Sequence, residues 1–348
     1  MKIVVCCDSF KGSLSADEIC NVISKTLKNR KEGIEVIELP LADGGEGTAR
    51  ILIKERYPII NKVKAHDPLG RLIETRFYQD TTSKKALIES SEIIGLPLLK
   101  KTERNPLKAS SFGLGEVINF AISSGAEDIT VTLGGSATSD CGMGMLKAYN
   151  DNWKKIKFRI LCDVSNPLFG KEGAVEIFAS QKGAKPSELP ILEERNRRWV
   201  EELVNKGINR YEDTLRAGAG AAGGLGFAFQ SILKAESLKG IDFILKVTDF
   251  ENIIEKADLI ITGEGKIDKQ SLMGKVVSGV VKMAKMKSIP VIAICGKLAD
   301  KEIIESYGLK NIYCISDPLM SESENMKEKT TKLHLNNTMD KIIRKYIN

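Results

Sequence analysis

Short β-branched runs recur along this chain, and four of them end directly in a polar, glycine-rich loop. Ile3 to Cys6 leads into Asp8-Ser9-Phe10-Lys11-Gly12-Ser13, and Glu35 to Leu39 leads into Leu41-Ala-Asp43-Gly44-Gly45-Glu46-Gly47-Thr48. Thr130-Val-Thr leads into Gly134-Gly135-Ser136-Ala137-Thr138-Ser139-Asp140, and Asp258 to Thr262 into Gly263-Glu264-Gly265-Lys266-Ile267-Asp268. Open α/β sheets bind their ligands at the carboxyl ends of their strands, so a chain punctuated in this way points to such a sheet and to ligands held by those loops.

The helical segments fall where that architecture needs them. A helix over residues 16–28 separates the first two strands, and the last third repeats the pattern with strand 258–262, helix 273–286 and strands 290–295 and 312–315. The middle differs, because 62–65, 72–78 and 85–89 are closely spaced strands joined by Asp67-Pro-Leu-Gly and Asp80-Thr-Thr-Ser turns, which makes hairpins. The expectation is an α/β protein with a Rossmann-like doubly wound parallel sheet domain plus an inserted α+β domain. The first domain is drawn from residues 1–65 and 245–348, and the insertion from 66–244. A length of 348 residues, at roughly 150 per domain, agrees with two. The tail is polar after Asp317 and is expected to end in a surface helix over residues 337–347.

Composition removes several function classes. Hydrophobic residues at 42% and charged residues at 28% are ordinary for a folded soluble chain. The surplus of 52 Lys and Arg over 46 Asp and Glu is dispersed, and its densest cluster, Arg195, Arg197 and Arg198, is bracketed by Glu193, Glu194, Glu201 and Glu202. With aromatics at 6% and no basic stripe, no nucleic-acid partner is expected, and a small anionic ligand suits the surplus better. The uncharged stretch Ala217 to Leu233 is diluted by glycine and alanine, so no membrane partner is expected. Seven cysteines without CxxC spacing and two histidines argue against zinc or a disulfide framework, and free cysteines in apolar strands imply a reducing, cytoplasmic setting.

Each loop has a chemical reading and a plainer one. Asp8, Ser9 and Lys11 could orient a phosphorylated or carboxylated ligand, or Ser13 or Ser15 could simply cap the next helix. Asp43 and Glu46 among three glycines could supply metal or proton chemistry, or close a glycine turn. Gly134 to Asp140 offers successive amides and hydroxyls as an anion nest. Lys266 and Lys275 could neutralise phosphate, while Glu264 and Asp268, and separately Asp163 with Asn166, could hold Mg²⁺. Gly218-Ala-Gly220-Ala-Ala-Gly223 matches GxGxxG but follows no apolar strand, so it is read as close packing of a Gly/Ala helix and not as a dinucleotide site. Together the loops describe phosphoryl transfer, in which positioning and charge neutralisation supply most of the catalysis.

Asp8-Ser-Phe-Lys-Gly-Ser, Ala42-Asp-Gly-Gly-Glu-Gly-Thr, Asp67-Pro-Leu-Gly-Arg71, Gly134-Gly-Ser-Ala-Thr, Asp163 with Asn166-Pro-Leu, Gln181-Lys-Gly-Ala, Gly218 to Gly226, and Gly263-Glu-Gly with Asp268, Ser271 and Lys275 resemble the bacterial class I glycerate kinases in order and type. The resemblance runs from the first strand to about Gly296. It implies ATP-dependent, Mg²⁺-dependent phosphorylation of D-glycerate, usually at the 2-hydroxyl, by two α/β domains around a cleft. On that reading Asp43, Lys11 and Asp163 are catalytic; Ser9, Lys11, Arg71 and Lys182 bind the substrate. Gly134, Gly135, Ser136, Thr138, Gly263, Gly265, Lys266 and Lys275 bind nucleotide, and Asp163 and Asp268 hold the metal. Ser139, Ser165 and Lys266 stand where the family usually has Asn, Asp and Arg, and residues 147–161 form a shorter segment than the family pattern. The alternatives are a ligand-binding relative with weakened catalysis, or a kinase of another small hydroxy acid, with 3-phosphoglycerate as an allowed product. The oligomeric state is not legible.

Overall fold

The computed structural model describes residues 1–45, 47–272 and 274–347. In chain order the strands are β1 (Lys2–Cys7), β2 (Glu35–Glu38), β3 (Ile59–His66), β4 (Leu72–Asp80), β5 (Lys85–Glu89), β6 (Asp128–Thr132), β7 (Lys157–Leu161), β8 (Glu236–Leu238), β9 (Leu259–Ile267), β10 (Val291–Leu298) and β11 (Asn311–Cys314). They form a five-stranded and a six-stranded sheet. The chain divides into two compact units, Met1–Asp43 with Ile241–Asn348, and Gly44–Gly240.

In the first unit every strand pairing is parallel, and the strands lie in the order β11-β10-β9-β1-β2. Numbered within the unit this is 2-1-3-4-5, the flavodoxin-like version of a doubly wound sheet, whose direction of winding reverses between β1 and β9. β1 is apolar on both faces because it lies in the interior of the sheet. One face buries Ile3, Val5, Ile261, Ile292 and Ile294 against Ile19, Ile23 and Leu27 of helix Ala16–Arg30 and Leu335, Met339 and Ile342 of helix Glu328–Tyr346. The opposite face packs Ala293 and Cys295 against Val277 and Val281 of helix Val276–Met286. Ser15 starts the first helix through a capping box with Glu18, which is the plainer of the two roles considered for the serines after β1.

Several element boundaries differ from expectation, among them that of β9, which runs on through the expected loop to Ile267 because Lys266 and Ile267 still pair with β10. The last helix begins at Glu328, well before residue 337, because its buried positions open on Thr331, a polar residue that hides the apolar spacing from a hydropathy reading. The helix expected over 273–286 begins at Val276, and Met273 lies outside the described residues.

In the second unit the sheet order is β3-β4-β5-β6-β7-β8. β3, β4 and β5 are antiparallel neighbours joined by the two turns, whereas β5 to β8 run parallel. The expectation put the domain seams at 65/66 and 244/245; the structure puts them at 43/44 and 240/241. β3 pairs with β4 along its whole length, and the buried carboxylate of Glu89 at the end of β5 accepts hydrogen bonds from Gly47 N (2.7 Å) and Ala49 N (2.9 Å), so residues 44–66 belong with the second sheet. The core of this unit gathers Phe77, Ile88, Ile129, Val131 and Ile160 with Leu114, Val117 and Trp153. Burying each such side chain contributes about 1.5–3 kcal/mol. The short segment before β7 is closed by Trp153, whose indole N–H donates to Asn119 Oδ1 at 2.6 Å.

Candidate active site

The first unit gathers its chemistry at the carboxyl ends of β1 and β9, where the winding reverses. Asp8 N donates to Gly263 O at 2.8 Å, and Leu41 N donates to Cys7 O at 3.0 Å, which leads the chain after β2 past the end of β1 to Asp43. Gly265 lets β9 pass close to the first loop, because a Cβ there would lie 3.3 Å from Phe10 Cα and 3.4 Å from Lys11 N. Asp8, Asp43 and Glu264 thus come from separate parts of the sequence to one end of one sheet. Lys11 Nζ lies 3.7 Å from Asp43 Oδ2.

Asp8 and Glu264 are each 5% exposed. Burial, reinforced by the negative charge of Asp43, pushes the Asp8 carboxyl up to about 7 despite opposition from Lys11 and the Ser9 amide. Burial also lifts Glu264 to about 7, with the Ser271 hydroxyl and Lys275 opposing. One Glu264 oxygen, Oε1, is buried with no hydrogen-bond partner among the described residues. Lys266, near the end of β9, pairs with Asp268 at 2.7 Å, and Asp268 N donates to Ser271 Oγ at 3.1 Å. Lys275 stands at the start of helix Val276–Met286. Glu46 lies outside the described residues.

The second unit holds the loop Gly134 to Asp140, fixed through several of its carbonyls. Gly135 O accepts from Leu96 N (2.8 Å), Thr138 O from Lys182 Nζ (2.6 Å), and Ser139 O from Arg195 (2.7 Å) and Asn196 (3.1 Å). Asp140 anchors the far end by accepting from Ser111 N, Ser111 Oγ, Gly142 N and Gly144 N. Among the described residues the amides of Ser136, Thr138 and Ser139 have no acceptor, and the buried Thr138 and Ser139 hydroxyls have no partner. Successive amide and hydroxyl donors left open in one loop can receive an anion. Gly223 supports it from behind: its φ is +70°, and a Cβ there would lie 2.0 Å from Thr138 O. The GxGxxG stretch is therefore not a regular packing helix, since Ala222, Gly223 and Gly224 all take left-handed backbone to fit against this loop.

Two residues expected to bind substrate have other work. Lys182 is 3% exposed and donates to Ser136 Oγ as well as to Thr138 O, so it holds the loop from inside. Arg71 donates from Nε to Asp67 and from Nη1 to Glu103 (2.9 Å), and these carboxylates raise its pKa. A guanidinium already facing two carboxylates is a poor receptor for a third. Arg71→Ala is accordingly expected to leave the KM for the acceptor substrate within about two-fold of wild type; a rise of about ten-fold or more would restore Arg71 to the binding site. Asp163 Oδ1 accepts from Gly240 N at 2.8 Å, which ties the end of β7 to the chain after β8. A cavity of about 440 Å³ in this unit is lined by Glu103, Arg104, Lys108, Gly183, Lys185 and Glu188 among others, and includes no residue of the Gly134 loop.

The chain matches the sequence profile described as the Glycerate kinase family over residues 3–151 and 147–347. It belongs to the glycerate kinase family. A glycerate kinase of Bacillus subtilis (strain 168) is 36% identical, with 90% of each chain covered. A glycerate 2-kinase of Escherichia coli (strain K12) is 35% identical, again over 90% of each. The crystal structure of a putative glycerate kinase 2 from Salmonella typhimurium LT2 superposes with a TM-score of 0.79 at 31% identity, covering 98% of both chains. The two matched stretches of the family profile meet within the segment read as shortened, which Trp153 closes.

Within this glycerate kinase family member, the first unit brings Ser9, Lys11, Asp43, Gly263, Gly265, Lys266, Asp268 and Lys275 to one end of its sheet, while Arg71, Gly134, Gly135, Ser136, Thr138, Asp163 and Lys182 belong to the second unit. The sequence gives Asp8 and Glu264 only general roles, as part of a ligand-orienting loop and as a possible cation holder. Their signal is position, Asp8 directly after an apolar run and Glu264 two residues after one, but nothing linear shows that β1 and β9 are neighbours. Glu89 was missed altogether, because a glutamate closing a strand looks like a solvent-facing residue until its carboxylate is found under the Gly47 and Ala49 amides.

Proposed function

We propose that the chain transfers the γ-phosphoryl group of ATP to the 2-hydroxyl of D-glycerate, giving 2-phosphoglycerate and ADP, with Mg²⁺ as cofactor. The observation that carries this reading is the Asp8, Asp43 and Glu264 cluster at the winding reversal of the first sheet, with Lys11 beside it. The glycerate 2-kinase name of the Escherichia coli relative supports the choice of hydroxyl.

Each role is assigned within one unit. In the first, Lys11 receives the glycerate carboxylate, Ser9 orients the substrate, and Asp43 accepts the proton of the attacked hydroxyl. In the second, the open amides and hydroxyls from Ser136 to Ser139 receive nucleotide phosphate oxygens. Lys266 and Lys275 supply further positive charge at the end of β9. The residues of the first unit suit Mg²⁺: Glu264 Oε1 is a buried carboxylate oxygen without a donor, with Asp8 close enough to repel its charge. Among the described residues no three His, Cys, Asp or Glu side chains form a cage, which agrees with a cation that completes its shell with water and phosphate oxygens. Asp8 and Glu264 would hold it, since Asp268 is engaged by Lys266 and Asp163 by Gly240 N. When bound, Mg²⁺ neutralises phosphate charge.

No helix among the described residues is long and apolar enough to cross a membrane. We place the enzyme in the cytoplasm, where ATP is present and its seven cysteines stay reduced. The test is direct. Protein with MgATP and D-glycerate is expected to release ADP and to give 2-phosphoglycerate by phosphorus NMR, with glycerol inactive because it lacks the carboxylate. Equal rates with glycerol would remove carboxylate recognition, and 3-phosphoglycerate as product would overturn the assigned hydroxyl.

A further inference from the structure

The ammonium of Lys182 is almost wholly buried, yet it contacts only neutral groups. Its partners are Ser136 Oγ at 3.1 Å and Thr138 O at 2.6 Å, and among the described residues no carboxylate lies within ion-pair distance of it. Asp140, whose charge acts on Lys182, has its oxygens taken up by Ser111, Gly142 and Gly144. The other charged neighbour of the loop, Arg195, adds positive charge at Ser139 O. Cys141 is buried and held in its neutral thiol form, its pKa raised by burial, so it offers no countercharge.

A buried ammonium without an anion is a costly arrangement, and proteins keep such charges where a partner arrives later. Lys182 reaches this place because Gly183, at φ +97°, turns the chain where a Cβ would lie 2.4 Å from Arg104 O. Both its contacts are to the loop whose amides and hydroxyls stand open. We propose that Lys182 is the buried countercharge of the anion held by the Gly134 loop: a positioning residue that fixes Ser136 and Thr138 from inside and supplies the positive charge their bound phosphate requires. This rests on the reading that the loop receives nucleotide phosphate.

One consequence separates charge from scaffolding. Without ligand, burial holds Lys182 down at about 7, against the opposing pull of Asp140. An anion at the loop favours the charged form and raises that value. Binding at pH 8 therefore takes up close to one proton at Lys182, and affinity for the anion falls by up to about ten-fold per pH unit above 7. The terminal phosphate of ADP, with a second pKa near 6, is already ionised there and adds nothing.

The probe is MgADP, titrated calorimetrically in two buffers of different ionisation enthalpy at pH 6.5, 8 and 9. Wild type is expected to take up a proton at pH 8. Lys182→Met, which keeps the length of the side chain in an apolar setting, is expected to lack that component, to bind about ten-fold or more weakly at pH 6.5, and to approach wild type at pH 9. A loss of the same size at every pH, or unchanged proton uptake in the variant, would show that Lys182 is only scaffolding and would overturn the proposal. Thr138→Val tests the underlying reading separately. If it weakens MgADP while Lys182→Met does not, the countercharge alone is wrong; if it changes nothing, the loop does not hold phosphate and both fall. Wild-type proton uptake needs no variant to fold, so its absence at pH 8 also overturns the proposal.

Discussion

Replacing Asp43 by Asn is expected to lower kcat with D-glycerate by about 10²–10⁴ while leaving MgADP affinity within about two-fold. The substitution keeps the shape of the side chain and one acceptor oxygen but removes the charge that the proposed function uses to draw off the hydroxyl proton. Asp43 is chosen over its neighbours for three reasons. It lies beside Lys11, the cation assigned to the substrate carboxylate, at 3.7 Å. It is less deeply buried than Asp8 or Glu264, so it is open to a substrate. A carboxylate on Mg²⁺ is a poor base, because the cation lowers its proton affinity, and the proposed function gives the cation to Glu264, whose Oε1 is buried without a hydrogen-bond partner among the described residues. The glycine that follows is fixed by packing: Gly44 has φ +89°, and a Cβ there would lie 2.6 Å from Gly240 Cα. Steady-state kinetics with calorimetric MgADP titration decide the matter. Turnover within about five-fold of wild type would return Asp43 to the plainer role of closing a glycine turn.

The parts of this fold that were legible in the sequence are those set by local chemistry. β-branched runs mark strands, Asp67-Pro-Leu-Gly and Asp80-Thr-Thr-Ser mark hairpins, and glycine clusters mark where several strands give way to turns. Strand order was not legible, because the pairing of β1 with β9 spans most of the chain and leaves no periodic trace. Asp8 and Glu264 become partners only through that pairing, and their shared burial follows from it. The same holds for Lys182. Its motif marked it as functional, and a lysine in such a motif reads as a ligand-facing cation, but Gly183 turns it inward. Gly223 shows the reverse case: a glycine pattern without a strand in front argues against a dinucleotide, while its left-handed backbone and its fit against Thr138 O depend on a loop far earlier in the chain.

The other large effect concerns stability and runs against activity. Asp8→Asn is expected to make the metal-free protein more stable at pH 8, by on the order of 2–4 kcal/mol, and to abolish most turnover. In the native state burial and Asp43 hold Asp8 near 7, whereas in the unfolded chain an aspartate titrates near 4. Between those values the native state binds more protons than the unfolded state, so stability falls as pH rises through the window. Glu264 behaves in the same way, and the two add to the burden at neutral pH. The side-chain amide of the variant would carry no charge to desolvate, and its oxygen could still accept the Ser9 N–H that Asp8 Oδ1 accepts at 2.6 Å. Below about pH 4 wild type is protonated in both states and the gain should vanish. Urea denaturation in EDTA at pH 4, 6 and 8 reads this directly, because the gain should grow with pH. A gain that is the same at all three, or a loss at pH 8, would mean that Asp8 is not held above its ordinary range. Excess Mg²⁺ should narrow the difference at pH 8 by stabilising wild type, since a cation at Asp8 and Glu264 offsets the repulsion that the variant removes by substitution.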